Sequence, residues 1–180
     1  AVGTRIEGFL DGAVALGDKL GPLLWQFLPT RRFDPDDVAA FLDLLPERHA
    51  GVALRHAVEV RHESFLDPRW VALARERGVA TVFTDSDDYP SMADITGPFI
   101  YARLMRSVAD ETAGYPRKAL RQWAAHAATW AAGGDPAELP HVDALVPAAG
   151  PRDVFIYFIA AAKVRNPSAA VALRKLVDGA

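Results

Sequence analysis

Polar and charged side chains stand late in several apolar segments of this sequence, the place where α/β proteins carry their functional groups. They are Gln26, Glu59, Arg61, Asp85 and Arg103. Residues two apart in a strand share a face, so Glu59 projects with Arg61, and Tyr101 projects with Arg103. If these faces point toward one site, two carboxylates and two guanidiniums converge there.

This composition suits a small anionic or polyhydroxylated ligand. Arginine forms forked hydrogen bonds to carboxylate or phosphate groups, and a carboxylate can act as a general acid or base. We therefore expect Glu59 and Asp85 to be the proton-transfer candidates. Arg61 and Arg103 would clamp the anionic or hydroxyl groups of the ligand.

Two further residues extend the candidate site. His62 lies directly after a predicted strand, where it would serve as a general base, a metal ligand or a hydrogen-bond partner within the loop. Lys163 follows the last predicted strand, where barrel enzymes often hold phosphate and where a solvated turn would also place a lysine. The expected ligand-binding residues are Gln26, Arg61, His62, Tyr101, Arg103 and Lys163.

A structural interpretation competes with the functional one. Glu59 with Arg61, and Asp85 with Arg103, would also form ion pairs that satisfy one another at the end of a sheet. The residues themselves leave open whether the protein is an enzyme.

Several common motifs are missing from the sequence. It contains no Gly-x-Gly-x-x-Gly, no Gly-Lys-Ser/Thr phosphate loop and no Gly-x-Ser-x-Gly elbow. The histidines lack a ligand spacing such as His-Glu-x-x-His. The common nucleotide-binding and serine-hydrolase interpretations therefore lose their support. A dedicated metal site is not expected, and the sequence leaves the cofactor unknown.

Composition bounds the class of protein. The chain has 180 residues, 51% of them hydrophobic, no cysteine and a net charge of −3. We expect one domain over residues 1–180 that buries its core without disulfides and, lacking a basic surface, binds no nucleic acid. The longest apolar stretches fall short of the roughly 18 residues that span a bilayer, and no secretory leader is evident. The expectation is a cytoplasmic protein that does not bind membranes, and the Ala- and Arg-rich composition suggests a bacterial source.

Strands and helices are predicted to alternate. The predicted strands cover residues 23–27, 57–61, 79–84, 99–104 and 154–158. The predicted helices are an opening one that ends near Gly17 or Gly21, two that begin at Asp34-Pro35 and Asp67-Pro68, one over 117–132, and one capped by Asn166-Pro167. Trp123 and Trp130, seven apart on one of these helices, are expected to pack in the core.

Because each predicted strand is apolar on both faces, the pattern indicates a parallel sheet with helical crossovers. The fold class is α/β. A closed (β/α)8 barrel typically takes about 250 residues, so five strands form either an open sheet or part of a barrel. In an open doubly wound sheet the ligand would bind where the strand order reverses.

Five segments resemble successive motifs of the YecE-like family, domain of unknown function 72. They are residues 21–29, 58–65, 84–86, 99–104 and 153–158. The resemblance runs in order over nearly the whole chain. Its most specific parts are the Glu-x-Arg-His block that begins at Glu59 and the Tyr-x-Arg-Leu block that begins at Tyr101.

The resemblance implies a TIM-type (β/α)8 barrel whose activity is unassigned. It also implies that this chain corresponds to about five C-terminal βα units and the preceding helix, without the three N-terminal units of the family. The positions that match the family pattern, and that would line its pocket, are Glu59, Arg61, His62, Asp85, Tyr101 and Arg103. Met105-Arg106 replaces a usual His-Gly, and residues 159–163 replace an Asn-rich strand end, so ligand contacts from these two loops are not carried over.

The leading hypothesis is thus a YecE-like protein with an enzyme-like pocket at the carboxyl ends of its strands. The alternative is a non-catalytic half-barrel or truncated remnant that needs a partner chain. Such a half-barrel would leave two open sheet edges, and open edges favour self-association.

Overall fold

Helices and parallel strands alternate along the chain in the computed structural model, which describes residues 2–144 and 149–179. The helices are α1 (Val2–Val14), α2 (Pro35–Leu42), α3 (Pro68–Glu76), α4 (Arg117–Ala131) and α5 (Asn166–Asp178). The strands are β1 (Leu23–Gln26), β2 (Arg48–His49), β3 (Val52–Ala53), β4 (His56–Glu59), β5 (Ala80–Thr81), β6 (Phe83–Asp85), β7 (Ile100–Leu104) and β8 (Val154–Phe158). Four residues of the predicted loop after α4, 145–148, lie outside the described part.

The parallel strands follow one another in chain order. β4 pairs with β1 and β5, and β7 pairs with β6 and β8, always in parallel. Only Val82 separates β5 from β6, and its N–H donates to the oxygen of Val58 at 2.9 Å. The predicted strand 79–84 is therefore a single strand, whose first part (β5) pairs with β4 and whose second part (β6) pairs with β7. The structure confirms an α/β fold, and the described strands show no reversal of order of the kind a doubly wound sheet requires.

A short hairpin was not predicted. β2 and β3 pair antiparallel, and their turn places Ala50 at φ 46° and Gly51 at φ 82°. Strands of two residues are too short to show an alternating pattern, so the sequence carried little signal for them. His49 joins the hairpin to α1 through its Nε2, which lies 2.7 Å from Asp11 Oδ1.

The Asp-Pro pairs start their helices as predicted. Asp34 accepts hydrogen bonds from the N–H groups of Asp36 and Asp37, both at 3.1 Å, and each helix has proline in its first turn. Asp67 caps α3 in the same way by accepting from the N–H of Arg69 at 2.8 Å.

Asn166 does not cap α5, so that prediction is wrong. It is the first helical residue, and its side chain is turned to tertiary partners instead. Its Oδ1 accepts from Ser107 Oγ at 2.7 Å, and its Nδ2 donates to the oxygen of Ala160 at 3.1 Å. The side chain of Asn166 does not cap the helix because its buried amide already bonds to a donor and an acceptor elsewhere in the fold.

The core has two layers, because the strands bury both faces. Between sheet and helices lie two clusters, one around Trp70 and one in which the fully buried Trp130 packs on Phe83 with ring centroids 5.9 Å apart. The other, inner face buries Ala57, Ala80, Val82, Phe99 and Tyr101. The side chains that continue this inner face at the carboxyl ends of the strands form the candidate site.

Candidate functional site

Glu59 is the centre of the candidate site. It is the last residue of β4 and is wholly buried. Its Oε1 accepts from Arg61 Nε at 2.6 Å, and its Oε2 accepts from Nη1 of Arg103 on β7. One buried carboxylate thus bonds two guanidiniums, which confirms the predicted Glu59–Arg61 pair and adds a second partner.

Two neighbouring side chains complete the arrangement. Gln26, the register partner of Glu59 on β1, accepts with its Oε1 from Arg61 Nη2 at 2.7 Å and from Arg103 Nη1 at 3.1 Å. The guanidinium carbon of Arg61 lies over the ring of Tyr89, 4.2 Å from the ring centroid. The hydroxyl of Tyr89 accepts from Arg61 Nη1 at 3.3 Å. We call these five residues the Glu59 cluster. Tyr89 was missed because it lies in the irregular crossover after β6, where no periodicity marks a position.

The Glu59 cluster carries one positive charge in excess, since a single carboxylate faces two guanidiniums. The side chains of Arg61 and Arg103 are 16% and 15% exposed, so solvent reaches them at the strand ends. All three donor nitrogens of Arg61 are bonded within the cluster. In residues 2–144 and 149–179, Nε and Nη2 of Arg103 make no hydrogen bond. The free donor edge of the cluster therefore belongs to Arg103.

Two tyrosines lie beside this edge on the same inner face. Tyr101 and Tyr157 stack with ring centroids 4.9 Å apart, and Tyr157 is the register partner of Arg103. Burial, helped by the neighbouring Tyr157, raises the pKa of Tyr101 to about 12, so its phenol stays protonated at neutral pH. Tyr157 is 41% exposed and lies on β8 opposite Arg103.

Asp85 does not join the Glu59 cluster, so the expected convergence of the two carboxylates is wrong. Thr84 is the register partner of Arg103, whereas Asp85 lies opposite Leu104 on the helix-covered face. Its carboxylate pairs with Arg106 Nη1 at 3.0 Å rather than with Arg103. Burial raises the pKa of the Asp85 carboxyl, and the charge of Arg106 opposes that shift.

The sequence profile of the family described as "Protein of unknown function DUF72" matches residues 2–180. The chain belongs to the DUF72 family. A comparison with curated proteins found no match.

Two solved DUF72 structures have the same fold. A DUF72 family protein from Enterococcus faecalis V583 has a TM-score of 0.68 at 16% identity, with 96% of this chain and 68% of that chain covered. A DUF72 family protein from Thermotoga maritima MSB8 has a TM-score of 0.72 at 15% identity, with 97% and 65% covered. This chain therefore spans about two thirds of the length of these DUF72 proteins.

The remaining predicted positions of the DUF72 chain lie away from the Glu59 cluster. His62 Nδ1 accepts from the N–H of Ser64 at 3.1 Å and lies 2.9 Å from its Oγ, so the imidazole caps the short helical turn Glu63–Phe65. Lys163 is exposed in the turn Lys163–Arg165 after β8, preceded by Ala160 and Ala161 with left-handed backbones. Neither side chain bonds to the Glu59 cluster among the described residues.

Two general properties follow from the described residues. They contain no group of three or more His, Cys, Asp or Glu side chains that could hold a metal ion. None of the five helices combines the length and the apolar character that crossing a bilayer requires.

Proposed function

We propose that the carboxyl ends of β1, β4 and β7 bind a small anionic or polyhydroxylated ligand through the Glu59 cluster. The observation that carries this proposal is the sharing of one buried carboxylate by two guanidiniums. It leaves an excess positive charge at a partly exposed position, together with a donor edge on Arg103. A carboxylate or phosphate would satisfy both, because a guanidinium edge matches two oxygens of such a group.

Tyr157 adds a second feature to the proposed site. It is exposed at the strand position opposite Arg103, and its ring stacks on Tyr101. A flat ring face next to a cation supports a ligand that carries a sugar or another ring attached to its anionic group.

The geometry favours a positioning role for Glu59. Both carboxylate oxygens already accept charged hydrogen bonds, so taking a proton from a ligand would break one of them. In this proposal Glu59 holds the two arginines in place and Arg103 contacts the ligand. Asp85, the second proton-transfer candidate, lies outside the site.

For the architecture, we propose that the five parallel strands are part of a (β/α)8 barrel. The consecutive strand order and the likeness to two DUF72 structures over almost the whole chain support this. A second candidate function, a partner-dependent half-barrel, is favoured by one observation: β1 and β8 each pair with a described strand on one side only.

The ligand proposal is tested by calorimetric titration with inorganic phosphate, citrate, glucose and glucose 6-phosphate. We expect the anions to bind. Because hydrogen bonds to charged groups contribute about 1.5–3 kcal/mol, Arg103→Gln should weaken binding by about tenfold or more. Arg174→Gln is the matched control, since it removes the same charge from an exposed ion pair with Asp178.

Three results would contradict the proposal. They are no binding by any of the four compounds, unchanged binding in Arg103→Gln, or equal losses in Arg103→Gln and Arg174→Gln. Glucose binding without binding of the anions would retain the site and exclude an anionic ligand.

A further inference from the structure

A cleft lies between β6 and α4, on the face of the sheet opposite the Glu59 cluster. It has a volume of about 480 Å³. Its principal lining residues are Phe83, Asp85, Arg106, Tyr115, Trp123 and His126. Sites for small molecules commonly have volumes of about 300–1,000 Å³ with apolar walls and a few polar groups, and this cleft has both properties.

Asp85 supplies the carboxylate that lines the cleft. The Asp85 side chain is 11% exposed, and its cationic partner Arg106 also pairs with Asp87 at 2.8 Å. Glu138 lies 3.2 Å from Nδ1 of His126, an imidazole whose pKa is lowered by burial and which is therefore neutral at pH 7. Arg106 thus divides its guanidinium between Asp85 in the cleft and the exposed Asp87 outside it, so the charge of Asp85 is only partly compensated.

The walls beside Asp85 are aromatic and fixed. Trp123 packs against Phe83 with ring centroids 5.7 Å apart, and against His126 at 5.2 Å. The hydroxyl of Tyr115 accepts from the N–H of Arg106 at 2.8 Å, which sets the position of that ring. Aromatic faces next to a carboxylate attract cations, because the π-system is negative on its face.

Leu139 and Pro140 line the cleft from a segment that follows α4. This segment is held down by the N–H of Ala93, which donates to the oxygen of Pro140 at 2.7 Å. Asp94 adds two bonds by accepting from the N–H groups of Val142 and Asp143, both at 2.9 Å. The cleft is therefore formed before any ligand arrives.

We propose that this cleft binds a small organic cation, an amine or amidine attached to a flat ring, with its charge at Asp85 and its ring against Trp123. This site is independent of the Glu59 cluster, from which it is separated by the sheet. The ligand's cation would compete with Arg106 for Asp85, and the half-exposed Arg106 would keep its pair with Asp87.

Benzamidine is the probe, and benzamide is its neutral counterpart. We expect calorimetry to show binding of benzamidine and not of benzamide. Asp85→Asn should weaken benzamidine binding at least tenfold, whereas Asp36→Asn, which removes an exposed carboxylate on α2, should leave it unchanged. Arg106→Gln should tighten binding severalfold because it removes the competing cation. Arg103→Gln should have no effect, which separates this test from that of the Glu59 cluster.

Folding of the variants is checked by near-ultraviolet circular dichroism. Asp85→Asn is expected to fold, because burial already disfavours the charged form of this side chain and raises its pKa. If that variant were to unfold, Arg106→Gln and Trp123→Leu would still decide the matter, with tighter and weaker binding expected respectively. Absence of benzamidine binding, equal binding of benzamide, unchanged binding in a folded Asp85→Asn variant, or weaker binding in Arg106→Gln would each overturn the proposal.

Discussion

Glu59 shows how one buried charge organises a strand end. Its negative charge compensates two arginines from different parts of the chain, and Gln26 bridges the same two arginines. The pairing with Arg61 could be predicted, because residues two apart in a strand share a face. The pairing with Arg103 could not, since it depends on how β4 and β7 are placed across the inner face.

Removing the negative charge of Glu59 should destabilise the folded protein. Glu59→Gln removes the negative charge from both ion pairs and turns an NH2 group toward one of the two guanidiniums. We therefore expect the free energy of unfolding to fall by about 3 kcal/mol, as when a buried ion pair loses one partner. Urea denaturation measures this change. Glu63→Gln, an exposed carboxylate four residues later, should change it by less than about 0.5 kcal/mol. A fall below about 1 kcal/mol for Glu59→Gln would show that the pairs contribute little net stability.

Helix starts in this protein are set by local chemistry at two places and by tertiary contacts at a third. Asp34 and Asp67 are each followed by a proline, and each caps its helix. The carboxylate that accepts, the proline and the N–H groups of the first turn all lie within four residues, so these helix starts depend on local sequence alone. Asn166 has the same local pattern but bonds to Ser107 and Ala160. Local capping is therefore predictable only where no buried partner competes.

The cap at Asp34 gives a prediction for a single element. Asp34→Ala removes the acceptor for two N–H groups of α2 and should lower the free energy of unfolding by about 1 kcal/mol. Asp34→Asn keeps a side-chain oxygen and should stay close to the wild type. Thermal unfolding of the three proteins measures the difference. Equal destabilisation by both substitutions would indicate that charge, rather than the cap, stabilises the helix.

At the scale of the whole molecule, β1 and β8 each have one edge that pairs with no described strand, and the behaviour of these free edges distinguishes a self-sufficient domain from the proposed half-barrel. Directly after β8, the N–H of Ile159 donates to the oxygen of Leu104 on β7. Because alternate residues of a strand point their N–H groups to the same side, the N–H groups of Phe155 and Tyr157 also point toward β7. The N–H groups of Val154, Ile156 and Phe158 therefore point toward the free edge, where another strand could accept from them.

If the free edges pair, the chain should associate as its concentration rises in sedimentation experiments. Val154→Pro removes one edge N–H at the first residue of β8, where proline is tolerated, and should weaken association. Val154→Thr keeps that N–H and is the control. A monomer that unfolds cooperatively at every concentration would exclude edge pairing, as would equal association of the two variants.

The alternation of elements, the Asp-Pro helix starts and the DUF72 motifs could be recognised in the sequence, because each depends on residues close together in the chain. The same is true of the pair formed by Glu59 and Arg61. The face on which Asp85 lies was decided only by the tertiary structure. Since the strands are apolar on both faces, a period of two does not tell the inner face from the outer one. Only the register between β6 and β7 separates Asp85 from Arg103 and places Asp85 in the cleft between β6 and α4.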